Sequence, residues 1–161
     1  MKENNYVSEL ADVAAWRDEQ LNEGKRVVLT NGCFDLLHAG HVRYLKEARA
    51  LGDALVVALN SDASVKKLKG EGRPVHTEAD RAEILCALEA VDRVVVFEDE
   101  RATHVIEELR PQVYAKGGDY TVESLNGDER DALEKVGAEI CILSLVPGRS
   151  TSQTLRDLGK E

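Results

Sequence analysis

Two histidines three residues apart, His38 and His41, lie in the stretch "TNGCFDLLHAGH", with Gly40 between them. Imidazoles at this spacing in the first turn of a helix lie on the same side of that turn, and each ring can donate at least one N–H. A helix that begins near Gly40 also presents free backbone N–H groups and a positive dipole end. These residue types at this spacing predict stabilisation of negative charge that develops on phosphate oxygens.

The two histidines also have an ordinary structural interpretation, in which one caps the helix and the other lies on the surface. The neighbouring residues favour the chemical interpretation, because Gly32 and Gly40 would let the backbone approach a bulky anion closely. We expect Cys33 in this loop to contribute its backbone rather than its thiol.

A basic stretch lies further along the chain. Residues 66–73 contain one acid, Glu71, among four cations, namely Lys66, Lys67, Lys69 and Arg73. The whole chain has a formal net charge of -9, so this local excess of positive charge is distinctive. The stretch is predicted to be either a solvated loop or a segment that neutralises a phosphate-bearing small molecule.

Composition limits the classes of function. The 161 residues are 43% hydrophobic and 32% charged, as expected for one globular domain. No apolar stretch approaches the roughly 20 residues of a membrane helix, and the first residues lack a secretory signal, so we expect a soluble cytoplasmic protein with no membrane partner. The acidic net charge argues against a nucleic-acid partner, whose binding needs a basic surface.

The three cysteines suggest neither disulfides nor a zinc site, and we expect Cys86 and Cys141 in the core.

Apolar runs alternate with amphipathic segments along the chain. The runs predict strands over 25–30, 53–60, 93–98, 112–118 and 138–146, and the segments predict helices over 41–52, 77–92, 102–110, 128–137 and 147–158. A helix in an N-terminal extension over 1–24, with Ser8 as N-cap and Gly24 as its stop, precedes a single domain over 25–161. The alternation predicts an α/β fold, a Rossmann-like doubly wound parallel five-stranded sheet with helices on both faces.

The predicted topology suggests where a ligand binds. If the strand order is 3-2-1-4-5, the order reverses between the first and fourth strands, and ligands bind beyond the carboxyl ends of strands at such a point. The stretch "NGCFDLLHAGH" follows the first strand and "KGGDY" follows the fourth. The assumed order therefore brings both turns to one crevice.

The stretch "GCFDLLHAGH" resembles the H-x-G-H signature of the nucleotidyltransferase superfamily, which includes cytidylyltransferases, pantetheine-phosphate adenylyltransferase and class I aminoacyl-tRNA synthetases. The size and acidic balance of the chain exclude a synthetase. Together with "NSDASVKKLKGEGRPV", "ALEAVDRVVVFED", "KGGDY" and "STS", the stretch is similar to the adenylyltransferases of ADP-heptose biosynthesis over about residues 25–158. Glycerol-phosphate cytidylyltransferases have an arginine where this chain has Leu145, so this departure also favours the ADP-heptose group.

The resemblance implies a reaction. In this reaction a stand-alone enzyme would transfer AMP from ATP to D-glycero-β-D-manno-heptose 1-phosphate, giving ADP-heptose and pyrophosphate. An oxygen of the sugar phosphate would attack the α-phosphorus in line with the leaving pyrophosphate. The resemblance further implies a homodimer. Neutralisation of a triphosphate predicts Mg²⁺ bound with ATP, and no carboxylate cluster in the sequence marks a protein metal site. Two alternatives stay open: a cytidylyltransferase acting on a polyol or amino-alcohol phosphate, and a nucleotide-binding module without turnover.

The resemblance also assigns site residues. His38 and His41 would hold the ATP phosphates and the charge of the transition state. The other catalytic matches are cations near the phosphates, namely Lys66 or its neighbour Lys67, Lys69 and Arg81. Their structural alternatives are solvated lysines and an exposed helical arginine.

A second group would line the nucleotide pocket. Asp35 would orient the first loop or accept a hydrogen bond from the acceptor substrate, or else simply cap a turn. The full group is Asn31, Gly32, Cys33, Phe34, Asp35 and Gly40, then Lys116, Gly117, Gly118 and Asp119, and finally Ser150, Thr151 and Ser152. The last three have helix capping as their structural alternative.

Overall fold

Five parallel strands form one sheet in the computed structural model, which describes residues 7–118, 121–144 and 150–159. The strands are β1 (Val27–Gly32), β2 (Ala54–Asn60), β3 (Arg93–Phe97), β4 (Val113–Gly117) and β5 (Glu139–Leu143). Their order is β3-β2-β1-β4-β5, with every neighbouring pair parallel. The predicted fold class and the assumed strand order are confirmed.

Helices cover both faces of this sheet. They are α1 (Leu10–Asn22), α2 (Ala39–Arg49), α3 (Asp62–Lys69), α4 (Glu78–Ala87), α5 (Thr103–Leu109), α6 (Gly127–Val136) and α7 (Thr151–Asp157). None of them, within the described ranges, is long and apolar enough to cross a membrane.

Strand β2 explains why the molecule has two hydrophobic layers. All seven of its residues are buried, and side chains alternate between the faces of a strand. Ala54, Val56 and Ala58 pack in one layer with residues of α1, α5 and α6. The residues between them pack in the other layer with α2 and α4. Because both faces of β2 are buried, its sequence is an almost continuous run of apolar residues.

The first half of the basic stretch, residues 66–69, is helical where a loop was predicted. Helix α3 begins after Ser61, whose hydroxyl accepts a hydrogen bond from Ser64 N at 3.1 Å, and its Val65 is fully buried. Val65 is the one buried apolar residue of α3, so the helix has a serine cap but too short an apolar pattern to detect in the sequence.

Two other helix predictions were wrong in detail. Helix α4 begins after its N-cap Thr77, but it ends at Ala87 rather than at residue 92. Helix α1 begins after Glu9 rather than after Ser8. The backbone N–H of Ser8 instead donates to Val94 O at 3.0 Å, because the residues before α1 run beside β3.

A crevice opens where the strand order reverses. Strand β1 pairs with β2 as far as Gly32, but its register with β4 is limited to Val28↔Val113 and Leu29↔Tyr114. Beyond that point the hydroxyl of Tyr44 bonds to the Thr30 hydroxyl at 2.7 Å and donates to Ala115 O at 3.0 Å. The Tyr44 side chain therefore bridges the two diverging strands at the base of the crevice.

Candidate active site

The loop between β1 and α2, residues 33–38, has an uncommon backbone. Phe34 and Leu36 adopt left-handed φ angles of 46° and 47°, which cost non-glycine residues on the order of 1 kcal/mol each. A Cβ added at Gly32 would lie 3.0 Å from Cε2 of the Phe34 ring. Glycine at 32 therefore leaves the space that the folded-back ring of Phe34 occupies.

Asp35 anchors this loop to a distant segment. Its carboxylate is buried and accepts hydrogen bonds from Arg73 Nε at 3.1 Å, Val75 N at 2.7 Å and His76 N at 3.0 Å. Burial alone would raise the pKa of Asp35, but the two backbone donors and the guanidinium outweigh it and lower the pKa below its usual value. These contacts favour the loop-orienting role predicted for Asp35.

Arg81 binds the same loop through its guanidinium group. It is 1% exposed and donates to Cys33 O at 2.7 Å, Asn60 O at 2.8 Å and His76 O at 3.1 Å. Its Nη2 also donates to Asp62 Oδ1 at 2.9 Å. We expected Arg81 near the phosphates. Its guanidinium instead holds together the ends of β1 and β2, because their carbonyls need a buried donor there.

The two histidines form the first turn of α2. His38 is the N-cap, and its Nδ1 accepts from Gly40 N at 3.1 Å, while Nδ1 of His41 accepts from His38 N at 3.2 Å. A nitrogen that accepts carries no proton, so in the neutral form of each ring the proton is on Nε2. The rings lie against each other with centroids 3.9 Å apart.

Burial keeps His41 neutral. Loss of hydration, and secondarily the neighbouring His38, lower the pKa of His41 to about 4. At neutral pH this ring is therefore an Nε2–H donor without charge. A bound polyphosphate would oppose this shift, since negative charge favours the imidazolium.

Cys33 lines the cavity, and its backbone carbonyl and its thiol differ in what they can do there. Burial raises the pKa of its thiol above the ordinary value, although the charges of Lys69, Arg81 and Arg73 act in the opposite direction. The thiol therefore stays protonated at neutral pH, and the protonated form is not a nucleophile. The carbonyl of Cys33 is the acceptor of the Arg81 bond described above.

Ser150 and Thr151, at the start of α7, form hydrogen bonds with α7 and with the β1–α2 loop. Ser150 caps α7 by accepting from Gln153 N at 3.0 Å. The hydroxyl of Thr151 donates to the carbonyl of Asp35, with a longer contact of 3.4 Å to Leu36 O. Ser150 and Thr151 thus carry structural bonds in addition to facing the cavity.

A cavity of about 480 Å³ occupies the crevice. Among the residues that the structure describes, four cationic side chains, Lys69, Arg73, Arg101 and Lys116, line it against three carboxylates, and Arg73 already neutralises one of these, Asp35. The cavity is therefore electropositive relative to a chain with net charge -9, which suits a phosphate-bearing ligand.

Most predicted site residues meet in this cavity. Those that line it are Asn31, Gly32, Cys33, Phe34, Asp35, His38, Gly40, His41, Lys69, Lys116, Gly117, Ser150, Thr151 and Ser152. Lys66, Lys67, Gly118 and Arg81 are not among its lining residues. Lys66 instead forms an exposed ion pair with Glu71 at 3.3 Å. Asp119 and Leu145 lie outside the described residues.

Seven lining residues were not predicted as site residues. They are Tyr44, Asn60, Leu68, Arg73, Glu100, Arg101 and Glu129. Asn60 could have been found, because it is the polar last residue of a buried strand at the same edge of the sheet. Glu129 carried no such signal, since an acid in the first turn of a helix is ordinary.

Comparison with known proteins identifies the family. The family model described as Cytidylyltransferase-like matches residues 29–152. The chain is 54% identical over 132 residues to the bifunctional protein HldE of Pelobacter propionicus, covering 82% of this chain and 27% of that protein. It is 46% identical over 159 residues to HldE of Geobacter metallireducens, covering 96% and 32%. The chain thus spans less than a third of the length of these relatives.

Solved structures agree with this family. The lipopolysaccharide core biosynthesis protein of Thermoplasma volcanium superposes with a TM-score of 0.62 at 29% identity, covering 76% of this chain and 98% of that one. A pantoate-beta-alanine ligase of Francisella tularensis shares the fold alone, with a TM-score of 0.60 at 11% identity, covering 92% and 69%. The chain therefore belongs to the cytidylyltransferase-like family of nucleotidyltransferase enzymes.

Proposed function

We propose that this chain transfers AMP from MgATP to D-glycero-β-D-manno-heptose 1-phosphate, giving ADP-heptose and pyrophosphate. The observation that carries the proposed chemistry is the pair His38 and His41, which line the cavity with Nδ1 of each ring bound to a backbone N–H. The choice of substrates rests on the motifs that resemble the ADP-heptose group, and the 54% identity to an HldE protein supports it.

The proposed reaction needs no protein nucleophile. An oxygen of the sugar phosphate attacks the α-phosphorus and forms the new P–O bond. The bond from the α-phosphorus to the bridging oxygen breaks, and pyrophosphate leaves with the electron pair. The protein supplies position and charge stabilisation, the main contributions to catalysis in phosphoryl transfer.

The histidines would act as donors to the phosphate oxygens. Donors already oriented before the reaction stabilise developing charge without further reorganisation. In this chain the backbone bonds to Nδ1 perform that orientation, and the buried environment of His41 keeps its ring in the neutral donor form.

Lysine and arginine side chains would bind the remaining charge of the phosphates. Lys69 and Lys116 line the cavity and carry single positive charges. Arg73 also lines it, but its Nε is already bound to Asp35. We propose that Lys69 and Lys116 contact phosphates directly and that Arg73 acts chiefly by holding the loop.

The divalent ion would enter as part of the nucleotide substrate. In residues 7–118, 121–144 and 150–159, no group of three or more His, Cys, Asp or Glu side chains is arranged to hold a metal. The triphosphate oxygens and water are therefore the proposed ligands of Mg²⁺, which commonly retains several waters.

The test is release of pyrophosphate from ATP, CTP, GTP and UTP, each with heptose 1-phosphate and with glycerol 3-phosphate. We expect release with ATP and heptose 1-phosphate. Turnover with CTP and glycerol 3-phosphate would overturn the substrates but keep the chemistry. Binding of ATP without turnover in any mixture would favour a binding module.

The state of the enzyme in solution is a separate proposal. We propose a homodimer, as the family resemblance implies, and a cytoplasmic location, as expected from the composition of the sequence. Light scattering coupled to size-exclusion chromatography tests the dimer, and a mass matching the 17.7 kDa chain would contradict it.

A further inference from the structure

Glu129 is a buried acidic residue in a cavity that is otherwise suited to phosphate. It lies in the first turn of α6, is 6% exposed and lines the cavity. A buried carboxylate near a polyphosphate repels it, and removing such a group from water costs free energy unless a partner compensates. Glu129 therefore fits a part of the ligand that carries no negative charge.

The contacts of Glu129 leave it able to accept further hydrogen bonds. Oε1 accepts from Ala102 N at 3.4 Å, and Oε2 lies 3.5 Å from the hydroxyl of Tyr114. Both distances exceed the usual range, and an ionised carboxylate has about four lone-pair positions. The Tyr114 proton is directed instead to Oδ1 of Asn31, in a much shorter bond.

Asn31 complements this carboxylate. Because Tyr114 donates to its Oδ1, the amide group of Asn31 is oriented with NH2 as its donor side. Asn31 also lines the cavity. A carboxylate that accepts and an amide that donates, joined through one tyrosine, form the pattern that recognises neighbouring hydroxyl groups of a sugar.

The location separates Glu129 and Asn31 from the two histidines. Helices α5 and α6 pack in the same hydrophobic layer, whereas α2, which carries the histidines, packs in the layer on the opposite face of the sheet. A ligand whose phosphate meets α2 at the edge of the sheet would extend its uncharged part over β1 toward α6.

We propose that Glu129, together with Asn31, which Tyr114 orients, binds hydroxyl groups of the acceptor sugar and so determines acceptor specificity. This inference rests on the proposed function, since it takes the acceptor to be a sugar 1-phosphate. The ribose of ATP offers the same hydroxyl chemistry, so the experiment must separate the two sources.

The test compares the purified wild-type chain with Glu129→Gln and with Asp128→Asn. Asp128 is the matched control because it is the neighbouring acid of α6 and is exposed. For Glu129→Gln we expect KM for the sugar 1-phosphate to rise about 10- to 100-fold, the usual loss for hydrogen bonds to a charged group, while KM for ATP changes less than about 2-fold. Asp128→Asn should leave both values unchanged.

Two further measurements separate recognition from a structural role. Wild-type enzyme and Glu129→Gln should discriminate equally between ATP and 2′-deoxy-ATP, whereas loss of that discrimination in the variant would assign Glu129 to the ribose and overturn the inference. Equal increases in both KM values with a lower melting temperature would also overturn it, because they indicate that Glu129 only joins α5 to α6.

A second variant keeps the inference testable if Glu129→Gln does not fold. Tyr114→Phe removes the hydroxyl that orients Asn31, and we expect KM for the sugar 1-phosphate to rise about 3- to 10-fold, with KM for ATP unchanged. An unchanged KM for the sugar contradicts the inference. Absence of turnover in the wild-type chain, by contrast, contradicts the proposed function, and with it the inference.

Discussion

The β1–α2 loop and helix α3 both reach the cavity, but they are held in very different ways. The loop contains buried Asp35, and Arg81 lies beneath it with four hydrogen bonds. The last turn of α3 carries Lys66, Lys67 and Lys69, all exposed. The loop is thus fixed before substrate arrives, whereas the lysine side chains can move toward it.

This difference separates two contributions to phosphate chemistry. Groups that stabilise a transition state must be oriented in advance, which requires buried bonds such as those of the loop. Groups that attract and neutralise a polyanion need charge more than geometry, and exposed lysines supply it. Substitutions in the loop should therefore affect stability and turnover strongly, and substitutions in α3 should affect binding weakly.

The largest expected effect belongs to Arg81. Arg81→Leu would leave the buried carbonyls of Cys33 and Asn60 without their donor, so we expect the free energy of unfolding to fall by about 3–5 kcal/mol. Urea denaturation measures this loss, with exposed Arg43→Leu as the control, for which we expect less than about 0.5 kcal/mol. Undiminished stability together with a large loss of turnover would place Arg81 on the phosphates, against the arrangement described.

The next largest effect belongs to the histidines. His41→Asn keeps an acceptor where Nδ1 was but removes the Nε2 donor, so we expect turnover to fall about 10²–10³-fold with little change in melting temperature. His38→Ala should reduce turnover to a similar extent. A large loss of stability in His41→Asn with near-normal turnover would mean that His41 serves only as part of the helix cap.

The pH dependence of His41 gives a third test. Its pKa is about 4 in the folded chain, against about 6.5 when unfolded, so between these values the unfolded state binds more protons and stability falls as pH falls. NMR titration of the imidazole should give a midpoint near 4, higher with bound ATP. A midpoint near 6.5 without ligand would contradict the buried neutral ring.

Substitutions in α3 should have the smallest effects, and they should distinguish Lys69 from Lys66. Lys69 lines the cavity and Lys66 does not, so Lys69→Ala should raise KM for ATP about 3- to 10-fold and Lys66→Ala less than about 2-fold. Because these lysines are exposed, added salt should reduce the difference. Equal effects from both variants would show that α3 acts only through its total charge.

The sequence predicted the elements that place the site more accurately than it predicted the contacts within it. The strands were found because continuous apolar runs mark buried parallel strands, and the H-x-G-H stretch was assigned to a helix start that the structure contains. Helix α3 was missed because its pattern is short and its cap lies in a stretch dominated by charge.

Arg81 shows why contacts are harder to predict. In the sequence it occupies an ordinary position in the first turns of an acidic helix, and nothing local distinguishes an exposed arginine from a buried one. The acceptors that hold it inside belong to the loop after β1, to β2 and to the segment before α4. Burial of a charge is decided by partners that other elements deliver, so only the assembled fold can reveal it.

The sequence by itself determined the α/β class, the two turns at the carboxyl ends of β1 and β4, and the spacing of His38 and His41, because these depend on periodicity and local order. The tertiary structure alone decided that Asp35 binds a segment about 40 residues away and that Glu129 enters the cavity from α6. Local patterns specify which face of an element is buried. Which polar groups meet across that buried surface depends on how separate elements pack together.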